Sequence, residues 1–351
     1  MNCYCTYFDH NYLAQGVALW RSLQRHDPAA RLWVLALDAS SAAALRALGD
    51  AGLVVIDVDE LLGSDVALAA AQRDRSRSEF IFTITPCWLR WLFDRCAEIE
   101  RIAYVDADLL FFSSPAPAWD AMGDGSVLVV PHRFPSWHDD RRRTGVFNVG
   151  WVAFRRSEVA SLCIDWWRAR CLEGCSVAGD GVVFGDQKYL DEWPNRFGGA
   201  VRVCAHPGVN LAPWNWAGHR CMVEQDGSVM VDANPLVFFH FAQFRWIGGQ
   251  WWDSGQLEYG VMSCALRRAL YGAYVERLRE AEVILRKTDI GFALNARGWW
   301  RTLGRWPLAG ARMAMGQFWF RSLSGSWWAM GFGGRWSGRL LGWYRGIRRE
   351  G

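Results

Sequence analysis

The chain has 351 residues, 51% of them hydrophobic, and a net charge of +3, which suits one large α/β domain plus an appendage, or two ordinary domains, with a substantial core. Its ten cysteines form no paired CxxC module and no Cys/His ladder, which excludes a zinc ribbon and fits a reduced, cytoplasmic protein. No uncharged run is long enough to span a membrane, and the opening MNCYCTYFDHNY lacks the basic start and apolar run of a signal peptide, so neither export nor a helical anchor is expected.

In chain order, residues 3–8 read as a strand, 13–25 as a helix with Leu13, Val17, Leu19, Trp20 and Leu23 on its apolar side, and 32–37 as a second strand. This is a βαβ opening. A helix follows at 42–48, a strand at 53–58, a Trp- and Leu-rich helix at 86–96 and a short strand at 102–105. Further strands are expected at 127–131 and 149–154, a helix at 159–171 and a late apolar strand at 236–241. The alternation predicts an α/β sheet of nucleotide-binding type. From 291 to 351 the composition shifts to Gly, Trp, Arg, Phe and Met, with Gly interruptions that weaken any long helix, so a C-terminal appendage is expected beyond a domain of residues 1–290.

The segment RIAYVDADLLFFSSP carries the chemistry. Asp106 and Asp108 follow the apolar strand with only Ala107 between them. Two carboxylates at the carboxyl end of a strand in an open α/β sheet can hold a divalent metal that bridges nucleotide phosphates. In isolation the pair is more often a cap and a surface ion pair.

Its company is an ordered series of motifs: DHNY followed by a helix ending in Ser22 and Leu23, YVDADLLFF, FNVGWVAFR, GDQKYLD, GVNLAPWN and FFHF. Over about residues 1–245 this series resembles the GT-A glycosyltransferases, and within them the retaining family 8 that includes lipopolysaccharide galactosyl- and glucosyltransferases and glycogenin. The resemblance implies a Rossmann-like, mostly parallel central sheet flanked by helices. It implies Asp106, Asp108 and His240 as ligands of Mn2+ or Mg2+, and UDP-sugar as donor. The imidazole shifts the preference toward Mn2+. Nucleotide contacts fall to Thr6, Tyr7, Phe8, Asp9, Asn11 and Ala107, although Asp9 and Asn11 can equally cap the next helix. Arg245 stands where the family often has a Gly and a Lys after the His, and becomes a candidate diphosphate contact. Asp186 and Gln187 resemble the family's Asp-Gln pair at the donor sugar and anomeric carbon, and Asn148 adds a hydrogen bond to the sugar.

Gly208, Asn210, Pro213, Trp214 and Asn215 can shape an acceptor side, with core packing the more frequent role for Trp214 and Trp216. Glu79, Arg90 and Asp191 lie near motifs without a specific role, Arg90 being a candidate to orient the Asp pair. Between Arg297 and Arg349 stand ten arginines and no Asp or Glu, interleaved with tryptophans such as Trp299, Trp319 and Trp343. This suits an anionic membrane surface, with packing on the domain as the alternative; no nucleic-acid module accompanies it. The reading is a metal-dependent transferase of a hexose from UDP-sugar to a lipopolysaccharide or other lipid-linked glycan, peripheral on the inner face of the cell membrane. An inverting GT-A enzyme and an inactive, membrane-associated sugar-binding protein are the alternatives.

Overall fold

A computed structural model of the chain describes residues 1–176, 184–248, 251–288, 315–321 and 327–331. In chain order the first half contains β1 (Cys3–Phe8), α1 (Leu13–His26), β2 (Arg31–Ala36), α2 (Ala39–Ala47), β3 (Leu53–Asp57), α3 (Val58–Ser64), α4 (Val66–Asp74), α5 (Arg77–Arg95) and β4 (Arg101–Val105). β5 (Leu109–Phe111), α6 (Ala116–Asp120), β6 (Val127–Pro131), β7 (Phe147–Arg155), α7 (Glu158–Glu173), α8 (Trp193–Phe197) and β8 (Val201–Val203) follow. The remainder holds β9 (Cys221–Val223), β10 (Val229–Val231), β11 (Asn234–Pro235), β12 (Phe238–His240), β13 (Arg245–Gly248), β14 (Trp251–Asp253), α9 (Cys264–Arg267), α10 (Ala273–Arg286), β15 (Met315–Arg321) and β16 (Trp327–Gly331).

The central sheet has the order β3-β2-β1-β4-β7-β6-β8, with every neighbouring pair parallel except those made by β7. This is the mostly parallel α/β sheet expected from the sequence. Successive residues of β1 point to opposite faces. Tyr4 and Phe8 join an apolar layer with α1, α10, β5 and β12, while Cys3, Cys5 and Tyr7 join a second layer with α5 and α7. Trp151 of β7 anchors the first layer, its ring 5.6 Å from Trp119, 5.9 Å from Tyr4 and 5.3 Å from Phe238. Chain order reverses at β1, since β2 lies on one side and β4 on the other. A crevice opens beyond the strand ends at such a point.

Three elements differ from expectation. The helix expected at 86–96 begins at Arg77, because Ser76 and Glu79 form a reciprocal capping box, and it runs through Pro86. Pro86 brings no N–H, so the Phe82 carbonyl loses its helical donor. The late strand covers only Phe238–His240 and pairs antiparallel with β5 in a separate ribbon rather than joining the main sheet. In the C-terminal segment the backbone of β15 pairs with β14 and with β16. Trp299 and Trp343, with the arginines Arg297 and Arg349 that bound the basic run, lie outside the described residues. Among the described residues no helix is long and apolar enough to cross a membrane, and the ten cysteines are free thiols.

Candidate active site

β4 is buried up to Val105, and the chain turns immediately after it, Leu109 N–H donating to the Asp106 carbonyl at 3.2 Å. The turn leaves the Asp106 and Asp108 side chains at the strand's carboxyl end. Antiparallel pairing sets His240 opposite Leu109, and Phe241 N–H donates to the Asp108 carbonyl at 3.0 Å. That register delivers the imidazole: His240 Nε2 lies 3.1 Å from Asp108 Oδ1 and 3.5 Å from Asp106 Oδ2. One ligand atom from each of the three residues falls within 4.8 Å of the others.

The far side of the imidazole fixes its role. His240 Nδ1 is 3.3 Å from Asn148 Oδ1, which also accepts from Gly150 N–H at 3.2 Å. An acceptor there assigns the proton to Nδ1, so Nε2 can offer its lone pair toward the carboxylates. Two carboxylates and an imidazole in this arrangement fit Mn2+ or Mg2+. Without an ion the three groups compensate one another. Burial raises Asp106, with Asp108 adding to the rise and His240 opposing it, and against the pull of burial the two carboxylates raise His240. Gly150 is required beneath the ring, since a Cβ there would sit 2.6 Å from Asn148 Oδ1 and 2.7 Å from His240 Nδ1.

The triad lines a cleft of about 510 Å³ over the carboxyl ends of β1 and β4. Tyr7, Phe8, Asp9, Asn11, Ala107 and Arg77 are among its walls. Asp9 does cap the following turn, accepting from Asn11 N–H at 2.9 Å, and it also pairs with Arg77, whose side chain is 70% exposed. Two sequence candidates are not among the lining residues. Thr6 is fully buried within β1, and Arg245 lies on β13 with its Nε directed to the Gln243 carbonyl.

Asp186 and Gln187 line an adjoining hollow of about 90 Å³ whose other walls include Tyr7, Phe82, Tyr104 and Asp106. Gly185, at φ +56°, turns the chain so that Asp186 points inward, and the Asp186 carbonyl accepts from Trp167 Nε1 at 2.8 Å. Thr85 Oγ1 donates to Asp186 Oδ2 at 2.6 Å. Burial pushes the Asp186 carboxyl up to about 7, with Asp106 adding to the shift and the Thr85 hydrogen bond opposing it. Gln187 Oε1 accepts from Asn148 Nδ2 at 3.0 Å, and its amide donates to the Thr144 carbonyl at 2.9 Å. Asn148 thus touches both His240 and Gln187.

Arg90 does not orient the Asp pair: it pairs with Asp94 and Asp165 in a groove on the outer part of α5. Tyr104 takes that role, donating to Asp106 Oδ1 at 2.8 Å. Glu79 serves the α5 cap, and Asp191 accepts from Val146 N–H. The GVNLAPWN turn supports the site from behind. Leu211 bridges to Phe239, Trp214 packs edge-on to His240 at 5.1 Å, and Asn215 accepts and donates only to backbone. Arg77, Thr85 and Tyr104 are not among the sequence candidates. A hydroxyl two residues before a DxD Asp, on the same face of the strand, was the one readable signal among them.

No protein-family model matches the chain. YfnF of Bacillus subtilis (strain 168), an uncharacterized protein, is 31% identical over 251 residues, which is 70% of this chain and 82% of YfnF. YfnD of the same strain is 30% identical over 247 residues, 69% of this chain and 77% of its own. The chain belongs to the YfnF family. Among solved structures, the galactosyltransferase LgtC in complex with donor and acceptor sugar analogs matches 86% of this chain and 99% of its own, at 20% identity and TM-score 0.48. The glycosyltransferase GlyE of Streptococcus pneumoniae TIGR4 matches 84% of this chain and 65% of its own, at 14% identity and TM-score 0.47. Neither YfnF nor YfnD brings an activity with it, and the chemistry of this YfnF-family chain lies in the residues of its own cleft.

Proposed function

We propose that the chain is a metal-dependent GT-A glycosyltransferase that moves a hexose from a UDP-sugar to a glycan acceptor with retention at the anomeric carbon. The observation that carries this reading is the convergence of Asp106, Asp108 and His240 on the wall of a nucleotide-sized cleft over β1 and β4. The acceptor is a lipopolysaccharide or another lipid-linked saccharide.

Asp106, Asp108 and His240 would hold the ion, which when bound supplies the positive charge that a departing diphosphate requires. Tyr7, Phe8, Asp9 and Asn11 line the same cleft and take the nucleoside. Asp186 and Gln187 border the hollow beside Asp106, whose mouth faces the hexose. A carboxyl held up to about 7 and hydrogen-bonded to Thr85 suits a partner for sugar hydroxyls better than a nucleophile. Gln187 Oε1, oriented by Asn148, faces the developing sugar cation as a neutral dipole. Among the described residues, the acids lining cleft and hollow are Asp9, Asp106, Asp108 and Asp186, and each is engaged by Arg77, His240 or Thr85. That supports front-face displacement, the acceptor hydroxyl passing its proton to a donor phosphate oxygen, over an inverting route with a free carboxylate base. The basic, Trp-rich segment 291–351 attaches the enzyme to the inner face of the membrane, where a lipid-linked acceptor resides.

The test is UDP release from a panel of UDP-sugars with and without Mn2+, followed by NMR of the transferred sugar. Metal-dependent release with an α-linked product from an α-linked donor is expected. A β-linked product would move the enzyme to the inverting class.

A further inference from the structure

Asn148 of β7 has no hydrogen-bonding capacity left for a sugar. A side-chain amide offers two N–H donors and a carbonyl oxygen with two lone pairs. Asn148 Oδ1 accepts from Gly150 N–H at 3.2 Å and faces His240 Nδ1 at 3.3 Å, while Nδ2 lies 3.0 Å from Gln187 Oε1 and 3.3 Å from His132 Nε2. Protein groups thus fill every place on the amide. Asn148 is also only 6% exposed and lines neither the cleft nor the hollow.

Two backbone groups fix the direction of each of these bonds. A backbone N–H can only donate, so Gly150 turns the oxygen of Asn148, and not its nitrogen, toward His240. The Gln187 amide donates to the Thr144 carbonyl at 2.9 Å, which turns Gln187 Oε1 toward Asn148 and toward Val149 N–H at 3.4 Å. His240 must then donate from Nδ1, and His132 must accept at Nε2. Burial pushes His132 down to about 3 and keeps the imidazole neutral, as an acceptor has to be. The His132 ring is clamped in place, stacked on Phe134 at 4.7 Å and edge-on to Trp214 at 5.5 Å. Its carbonyl accepts from Trp214 Nε1 at 3.0 Å and Asn215 Nδ2 at 2.9 Å, which ties it to the GVNLAPWN turn. A phenylalanine would fill similar volume between these rings. What the imidazole adds is an acceptor for Asn148.

We propose that His132 and Asn148 are positioning residues: His132 orients Asn148, and Asn148, saturated by protein groups, holds the ion ligand His240 and the donor-facing Gln187 in one frame. This role replaces the sugar hydrogen bond that the family resemblance implies for Asn148. What Gln187 faces rests on the glycosyltransferase reading; the hold on His240 does not.

The full chain is compared with His132→Phe, His132→Gln and Asn148→Ala, with melting temperatures recorded without metal. In calorimetry of Mn2+ without substrate, His132→Phe and Asn148→Ala should each weaken binding about tenfold. His132→Gln, whose amide oxygen can stand in for Nε2, should restore most of the loss seen in His132→Phe. With Mn2+ saturating, His132→Phe should lower kcat for UDP-sugar turnover about tenfold with little change in KM. Wild-type Mn2+ affinity in Asn148→Ala would overturn the frame and return Asn148 to a sugar contact. Equal weakening in His132→Phe and His132→Gln at unchanged melting temperature would overturn it too, since ring volume and not the acceptor would then matter. If His132→Phe does not fold, the Mn2+ affinity of Asn148→Ala decides. If the wild type binds Mn2+ yet turns over no UDP-sugar, the transferase reading falls while the Mn2+ affinities still decide the hold on His240. A wild type that binds no Mn2+ overturns both.

Discussion

At Asp186 the fold keeps a carboxyl in surroundings that favour its neutral form, and this has a stability consequence of definite sign. Its folded value of about 7 lies above the ordinary 3.8, so the native state holds more protons than the unfolded chain between those values. The stability it contributes is complete below about pH 4 and is lost as pH rises through 7. Asp186→Asn removes that loss, so without added metal the variant's gain in stability over wild type should widen from pH 5 to pH 8, by at most about 1.4 kcal/mol per pH unit. Burial pushes His132 the opposite way, down to about 3, but His132 is common to both proteins and cancels in the difference. A difference that stays flat with pH would show an ordinary carboxylate at this position. Gly150→Ala should reduce Mn2+ affinity about 10- to 100-fold in calorimetry, because the new methyl collides with Asn148 and with the Nδ1 side of the His240 ring, displacing the ligand without occupying the ion's own place. Asp106 and Asp108 were legible because they end an apolar strand, whereas His240 entered only through the family resemblance, since a lone histidine in a late apolar strand is more often a core residue. Thr85 was not legible, because a threonine inside a helix carries no pattern until the fold places Asp186 against it.

At the scale of elements, α5 does most to shape the cleft: its first two turns supply Arg77, Ser78, Ile81 and Phe82 to the wall, and Thr85, buried behind it, holds Asp186. Losing its cap through Ser76→Ala should cost about 1 kcal/mol and lower the melting temperature by roughly 1–2 °C. An unchanged melting temperature would mean that packing alone sets the start of the helix. The Ser-x-x-Glu signature at 76–79 was present in the sequence, yet Pro86 drew the expected start to itself, since proline favours a first turn far more often than a helix interior. The β5/β12 ribbon was harder to foresee. Its strands have three residues each and lie over a hundred positions apart, so their pairing is set by the packing of Phe111 and Phe238 around Trp151, which no local period records.

For the whole molecule, the α/β class was readable because buried strands alternate with amphipathic helices through the first half of the chain, whereas the antiparallel insertion of β7 beside β4 depends on long-range pairing. The basic C-terminal segment predicts that the full chain sediments with vesicles containing phosphatidylglycerol, remains in solution with pure phosphatidylcholine, and is released by high salt. Equal binding to both lipids would remove the electrostatic basis of that expectation. The central claim is that Asp106, Asp108 and His240 form the ion site of a nucleotide-sugar enzyme, and calorimetric titration of UDP in the presence and absence of Mn2+, into wild type and Asp108→Ala, tests it most directly. Wild type is expected to bind UDP much more tightly with Mn2+ and the variant, still folded, to lose this enhancement; metal-independent UDP binding that is identical in the two proteins would contradict the ion site.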